Sequence, residues 1–193
     1  MKNDIILAGV GGQGILTIAT IVGQTAVARG LHVKQSEVHG MAQRGGAVVA
    51  HVRLSAAVIY SDLIAPGSAD VVLAVEPLEA LRQVHHLRAQ GVLLVNTEAV
   101  RNIADYPDEA ALLEHLRSVP RSLVIDAGAM ASAAGSAKAM NMVMLGALSP
   151  FLSLPEEALT ETIRLAFERK GVEVVSANLR AFAAGRAAAA AVL

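Results

Sequence analysis

The apolar positions along the chain change period several times, and each change marks an element. Ile5, Ile6 and Leu7 form a short continuous apolar run, the pattern of a strand buried on both faces. Gly9 to Gly14 then reads as a turn and Ile15 to Arg29 as a helix. Gly30 follows where a helix is best ended by a left-handed residue. Leu31 to Ser36 reads as a second strand. Strand, helix and strand in that order predict a parallel sheet with right-handed crossovers. Glu37 to Gly46 is polar and reads as a loop, Ala47 to Leu54 as a third strand, and Val58 to Tyr60 as a short hairpin partner.

Pro66-Gly67 punctuates the chain before Asp70 to Val75, a further buried strand. Glu76-Pro77 opens a helix with proline at its first position, running to Ala89, and Gly91 stops it. Val92 to Val95 is the next strand. Thr97 to Ser118 is irregular and then helical, and Ser122 to Ile125 is the last strand. Beyond it only helices are expected: Asn141 to Ser149, Pro155 to Arg169, and Asn178 to Ala191. The expected fold is α/β, a Rossmann-like open and mostly parallel sheet between helical layers with a helical C-terminal third. No linker splits the chain, so residues 1–193 read as one domain.

Composition narrows the chemistry. Hydrophobic residues make up 54% of the 193 residues, which excludes a disordered chain. Cysteine is absent, which excludes disulfides, thiolate zinc sites, cysteine nucleophiles and an iron–sulfur cluster held by cysteines of this chain. The formal net charge is −1 without a basic block, so nucleic acid is not expected as a ligand. No run of about 20 apolar residues occurs, so no membrane span is expected. Met1-Lys2-Asn3-Asp4 carries an acid where a signal peptide is positive, and the chain reads as soluble and cytoplasmic. The surplus of small apolar residues suits a subunit that buries part of its exterior against a partner, or against a second copy when isolated.

Two segments concentrate candidate chemistry. Gly9-Val10-Gly11-Gly12-Gln13-Gly14 has the G-x-G-x-x-G form between a strand and a helix. There, glycines bring backbone N–H groups close to a phosphate or carboxylate. The acid that would hold a ribose about 20 residues on is missing from its place, since Lys34 stands there and Glu37 comes late. A tight turn that only packs helix on strand is the plainer reading. The second segment, Ser36 to Gly46, holds Glu37, His39, Gln43 and Arg44 beside Gly45-Gly46. Glu37 and His39 could form an acid–base pair, and Arg44 could bind an anion. Binding or docking fits the segment better than proton transfer, because no nucleophile or metal cluster accompanies it. No catalytic residue and no metal ligand is assigned.

His51 and Arg53 share one strand face and read as half-exposed strand residues. His85-His86 read as solvated helix residues. Asp126 and Asn141 read as helix N-caps, and Met142 and Met144 as core or interface filler.

The segments GVGGQGILT, SEVHGMAQRGGAVVAHVRL, YSDLIAPGSADVVLAVEPLEALR and NMVMLGAL, in order over nearly the whole chain, resemble the gamma-type module of the 2-oxoacid:ferredoxin oxidoreductase family. The SEVHGMAQRGG form is most similar to the branch that acts on indolepyruvate, where the module is the beta subunit. The resemblance implies a complex that oxidatively decarboxylates an aryl 2-oxoacid to an acyl-CoA and carbon dioxide, reducing ferredoxin. Its thiamine diphosphate, magnesium and iron–sulfur clusters would lie in a large alpha-type partner. In related enzymes the module is associated with coenzyme A placement. By resemblance, Gly9, Gly11, Gly12, Gln13 and Gly14 form a phosphate or interface turn. Glu37, His39, Gln43, Arg44, Gly45 and Gly46 face a partner or ligand, and Asn141 opens the late helix. The alternatives are a free-standing NAD(P)-dependent reductase, in which Lys34 would meet a 2′-phosphate, and a nucleotide- or CoA-binding module without an enzyme partner.

Overall fold

The computed structural model describes residues 1–39 and 45–193. Six strands form one sheet: β1 (Lys2–Val10), β2 (His32–His39), β3 (Ala47–Ser55), β4 (Ala69–Ala74), β5 (Leu87–Asn96) and β6 (Ser122–Ile125). Their spatial order is β2-β3-β1-β4-β5-β6. β1, β4, β5 and β6 are mutually parallel, as the apolar runs predict. The opening unit departs from expectation. β3 inserts between β1 and β2 and runs antiparallel to both, with Ile6 opposite His51 and Glu37 opposite Ala50. The crossover through helix α1 (Ile15–Ala28) therefore skips one strand position.

The two sheet faces carry separate cores, because side chains alternate along each strand. Ile5, Leu7, Val52, Val71, Leu73 and Leu94 face α1 and the C-terminal helices α4 (Ala127–Ala133), α5 (Met140–Leu148), α6 (Glu156–Phe167) and α7 (Val172–Ala188). Ile6, Ala8, Val72, Ala74, Leu93 and Val95 face α2 (Pro77–Gln83) and α3 (Glu109–Ser118). α1 ends as its sequence predicts. Gly30 has φ 75°, its N–H reaches Val27 O, and the Leu31 N–H reaches Ala26 O, which together close the helix.

Several expected boundaries move. The helix after Pro77 ends at Gln83 rather than Ala89, and a 3-10 turn at Val84–His86 leads directly into β5. β5 shifts register against β4 between the Ala69–Leu87 and Val71–Val92 pairs. Gly91 permits that close passage, since a Cβ there would stand 2.5 Å from Leu87 Cδ1 and 3.0 Å from Ala69 O. Val58 to Tyr60 forms no strand, and α7 begins at Val172 rather than Asn178.

α5 and α7 cross backbone to backbone through two glycines. A Cβ on Gly146 would lie 2.9 Å from Arg186 N, and one on Gly185 would lie 2.7 Å from the carbonyl carbon of Val143. The crossing carries the first turn of α5 to the carboxyl edge of β1. Among the described residues, no helix is long and apolar enough to cross a membrane.

Candidate functional site

The carboxyl ends of β1, β4, β5 and β6 share one edge of the sheet, where α/β proteins place ligands. β1 leads to α1 on one face and β4 leads to α2 on the other, so the crevice between β1 and β4 is the switch point. Gln13 occupies it. Its Oε1 accepts from Val10 N at 2.8 Å, and its Nε2 donates to Val75 O at 3.2 Å. Asn96, fully buried, donates to the same Val75 carbonyl at 3.2 Å and accepts from Ala127 N at 3.0 Å. These two amides staple all four parallel strand ends together. Gly9 is required here for packing, because a Cβ would collide with Val75 and with Ile15 Cδ1.

The accessible space lies to one side of this staple. A cleft of about 410 Å³ opens between the glycine turn, the first turn of α1 and the ends of β2 and β3. Val10, Ile15, Leu16 and Val48 give it apolar walls, while Gly11, Gly12, Gly14 and His39 complete the rim. Gly12 and Gly14 have φ of 104° and 80°, a left-handed backbone that favours glycine. α1 starts without a side-chain cap and without an acid in its first turn, so its positive end is not neutralised locally.

The two glycine segments meet. Gly11 N donates to Gly46 O at 2.8 Å, and Gly45 N to Gly11 O at 3.4 Å. A third segment, irregular in its sequence pattern, joins them: Asn102 Nδ2 donates to Gly45 O at 2.8 Å. That segment is anchored by Glu76, a buried acid that caps α2 through Glu79 N at 2.9 Å. Glu76 also accepts from Val100 N at 3.3 Å and from the Tyr106 hydroxyl. Burial, with the Glu76 carboxylate beside it, drives the Tyr106 phenol well above its ordinary range. Only the Pro77 start signal hinted at Glu76, and nothing in the sequence pattern pointed to Asn102.

The structure brings together most of the expected site residues and redefines several. Glu37 and His39 belong to edge strand β2 rather than to a loop, and they share the α1-side face. The Glu37 carboxylate accepts from Gln35 Nε2. Gln43 and Arg44 lie outside the described residues. Asn141 is not an N-cap: it sits in the first turn of α5, and its amide donates to Gly14 O at 3.4 Å. Asp126 does cap α4, accepting from Ala129 N at 2.7 Å.

Arg53 is committed to Asp4 through Nε–Oδ1 at 2.7 Å and Nη2–Oδ2 at 3.0 Å, so it offers no open anion site. Burial opposes the Asp4 charge, but Arg53 and Lys2 outweigh it and hold its carboxyl below the usual range. Lys34 donates to Tyr60 O at 3.3 Å. His86 is half-buried against His51 instead of solvated.

A mixed α/β sheet with a glycine turn at its switch point, a stapled crevice and a displaced cleft defines an α/β module with a ligand edge, and comparison with known proteins defines its family. The model of the pyruvate ferredoxin/flavodoxin oxidoreductase family matches residues 4–188. The chain belongs to that family, as a subunit of a ferredoxin-linked 2-oxoacid oxidoreductase.

It is 37% identical to indolepyruvate oxidoreductase subunit IorB of Archaeoglobus fulgidus, over 96% of this chain and 94% of that one. It is 38% identical to the IorB subunit of Thermococcus kodakarensis, over 97% and 96%. Among solved structures it is similar to a 2-oxoglutarate:ferredoxin oxidoreductase from Magnetococcus marinus with 2-oxoglutarate, coenzyme A and succinyl-CoA bound. The TM-score there is 0.78 at 25% identity, and all of this chain spans 32% of that longer polypeptide. It is also similar to the keto/oxoacid ferredoxin oxidoreductase gamma subunit of Geobacter sulfurreducens, with TM-score 0.70 and 25% identity over 98% and 99% of the two chains.

Proposed function

We propose that this chain is the small, non-catalytic subunit of a complex that oxidatively decarboxylates an aryl 2-oxoacid such as indolepyruvate. The products are an acyl-CoA and carbon dioxide, with the electrons passed to ferredoxin. One observation carries the choice of substrate class. Full-length identity reaches 38% with IorB subunits, against 29% with the 2-oxoglutarate synthase subunit KorC of Methanothermobacter marburgensis.

The residues present bear on where each cofactor sits. With no cysteine in the chain, the iron–sulfur clusters belong to the large alpha-type partner. By the same reading, thiamine diphosphate and magnesium sit in that partner too. Coenzyme A supplies the thiol that accepts the acyl group. The glycine cleft fits a segment of such an anionic ligand, with backbone N–H groups of Gly12 and Gly14 beside the uncapped start of α1. Gln13 filling the switch point, and Lys34 turned to Tyr60, weigh against an NAD(P) reductase.

The same edge supports docking. Leu16 on α1 is exposed in the wall of the cleft. Co-expression with the large subunit should give a complex that survives gel filtration, and Leu16→Asp should weaken it at least tenfold while leaving the circular dichroism of the chain unchanged. A wild-type chain that never co-purifies with the large subunit contradicts the reading. So does saturable NADPH binding by the pure chain.

A further inference from the structure

Between β3 and β4 the segment 56–68 crosses the α2-side face of the sheet as a strap. Two side chains of β3, two residues apart on that face, hold it. Arg53 Nη1 donates to Ser61 O at 3.0 Å and to Leu63 O at 3.1 Å. The Ile64 N–H donates to Nδ1 of His51 at 3.1 Å in a buried bond, and the Ile64 side chain enters the core beside Ile6 and Val72. Strap residues Val58, Tyr60 and Leu63 face outward, with Tyr60 91% exposed.

The His51 bond exists in one protonation state. To accept from Ile64, Nδ1 must carry a lone pair, so the imidazole is neutral. A proton there sets donor against donor in a buried place. A second imidazole stands against it: the His86 ring meets the His51 ring edge-on at 5.5 Å, and His85 lies 4.1 Å from His86. The charges acting on His51 are Asp62 of the strap, which favours its protonation, and Arg53 of its own strand, which opposes it. Burial, the largest influence, holds the His51 imidazole below its ordinary range, and burial acts the same way on His86, reinforced by His85 and His51 and opposed by a backbone hydrogen bond at Gln83.

We propose that the His51–His86 pair is a proton-operated latch: proton uptake breaks the His51–Ile64 bond and frees the Ile64 end of the strap from the sheet. The Arg53 bonds to the Ser61 and Leu63 carbonyls do not depend on that proton, so opening is confined to residues from Ile64 toward β4. The sign follows from the depressed His51 ionisation. The latch's contribution is complete above the ordinary histidine pKa of 6.5 and is lost progressively as pH falls below it. One linked proton limits the loss to about tenfold in the closed population per pH unit. The inference is independent of what the glycine cleft binds.

Amide hydrogen exchange of the full chain, read by NMR between pH 7.5 and 5 and corrected for intrinsic exchange, tests it. Ile64 protection should fall by about tenfold per pH unit once pH drops below 6.5, while Leu7 and Leu73 amides stay protected. His51→Asn keeps an acceptor at the Nδ1 position without titrating, and it should make Ile64 protection independent of pH. Ile64 protection that does not change in the wild type, or that falls equally in His51→Asn, overturns the latch. If His51→Asn does not fold, the wild-type His51 ring is titrated directly. Ring protonation coincident with loss of Ile64 protection supports the latch, and ring protonation without that loss overturns it.

Discussion

Two helical glycines should respond oppositely to the same substitution. An alanine replacing glycine in a helix interior gains about 1 kcal/mol of intrinsic helix preference when space allows. At Gly23 in α1 space does allow it, because the new Cβ would meet only Val33 Cγ1, at 3.7 Å. Gly23→Ala should therefore stabilise the chain by about 0.5–1 kcal/mol. At Gly146 the new methyl would lie 2.8 Å from the Phe182 carbonyl carbon and 2.9 Å from Arg186 N, both backbone atoms of α7. Overpacking costs about 1–3 kcal/mol even where side chains can yield. Here a whole helix must move, so the cost sits near 3, and subtracting the gain of about 1 leaves a net loss of about 2 kcal/mol.

Urea unfolding followed by circular dichroism measures both, with the midpoint shifting at constant m-value. In Gly146→Ala the displaced α5 should also draw Asn141 off the Gly14 carbonyl, raising amide exchange at the start of α1. A Gly146→Ala chain as stable as wild type would refute the backbone-to-backbone crossing. A destabilised Gly23→Ala would refute the reasoning that separates the two sites.

Other consequences are as specific. Gln13→Ala strips Val10 N of its buried acceptor, and it should cost about 1–3 kcal/mol in urea unfolding and raise amide exchange in the glycine turn. Arg53→Ala leaves Asp4 buried with only the exposed Lys2 as partner and should cost about 3 kcal/mol at neutral pH. Because Arg53 and Lys2 hold the Asp4 carboxyl below its usual range, their contribution to wild-type stability should be full above pH ~4 and shrink as pH falls below it, measured by unfolding midpoints. Asn102→Ala, which removes the amide donated to the Gly45 carbonyl across the cleft edge, should leave stability within about 0.5 kcal/mol while raising exchange at Gly11 and Gly45.

How much of this was legible in the sequence depended on what each residue's partner was. The parallel strands were readable because β1, β4 and β5 bury both faces and so appear as unbroken apolar runs, and β6 matched at both ends. The position of β3 was not, because antiparallel insertion is a choice of partner, and local periodicity is the same either way. β2 was cut short at Ser36 because an edge strand exposes polar residues as a loop does. α5 begins at Met140, so Asn141 lies inside its first turn instead of capping it, and its partner Gly14, 127 positions away, is beyond any local pattern.

The glycine turn was legible as a turn, and its meaning was not. Gln13 reads as a variable position of a nucleotide fingerprint, and only the fold shows its amide filling the place between β1 and β4. Asn102 and Glu76 act through backbone carbonyls and amides that carry no sequence signature.

The central claim is that this chain contributes to 2-oxoacid oxidation only as a subunit. Titrating it into a fixed amount of the large subunit, with indolepyruvate, coenzyme A and ferredoxin present, and following ferredoxin reduction by absorbance, tests that claim most directly. The rate should rise and saturate at a fixed subunit ratio, with no turnover by this chain alone. Turnover by the isolated chain, or a full rate from the large subunit without it, would contradict the account.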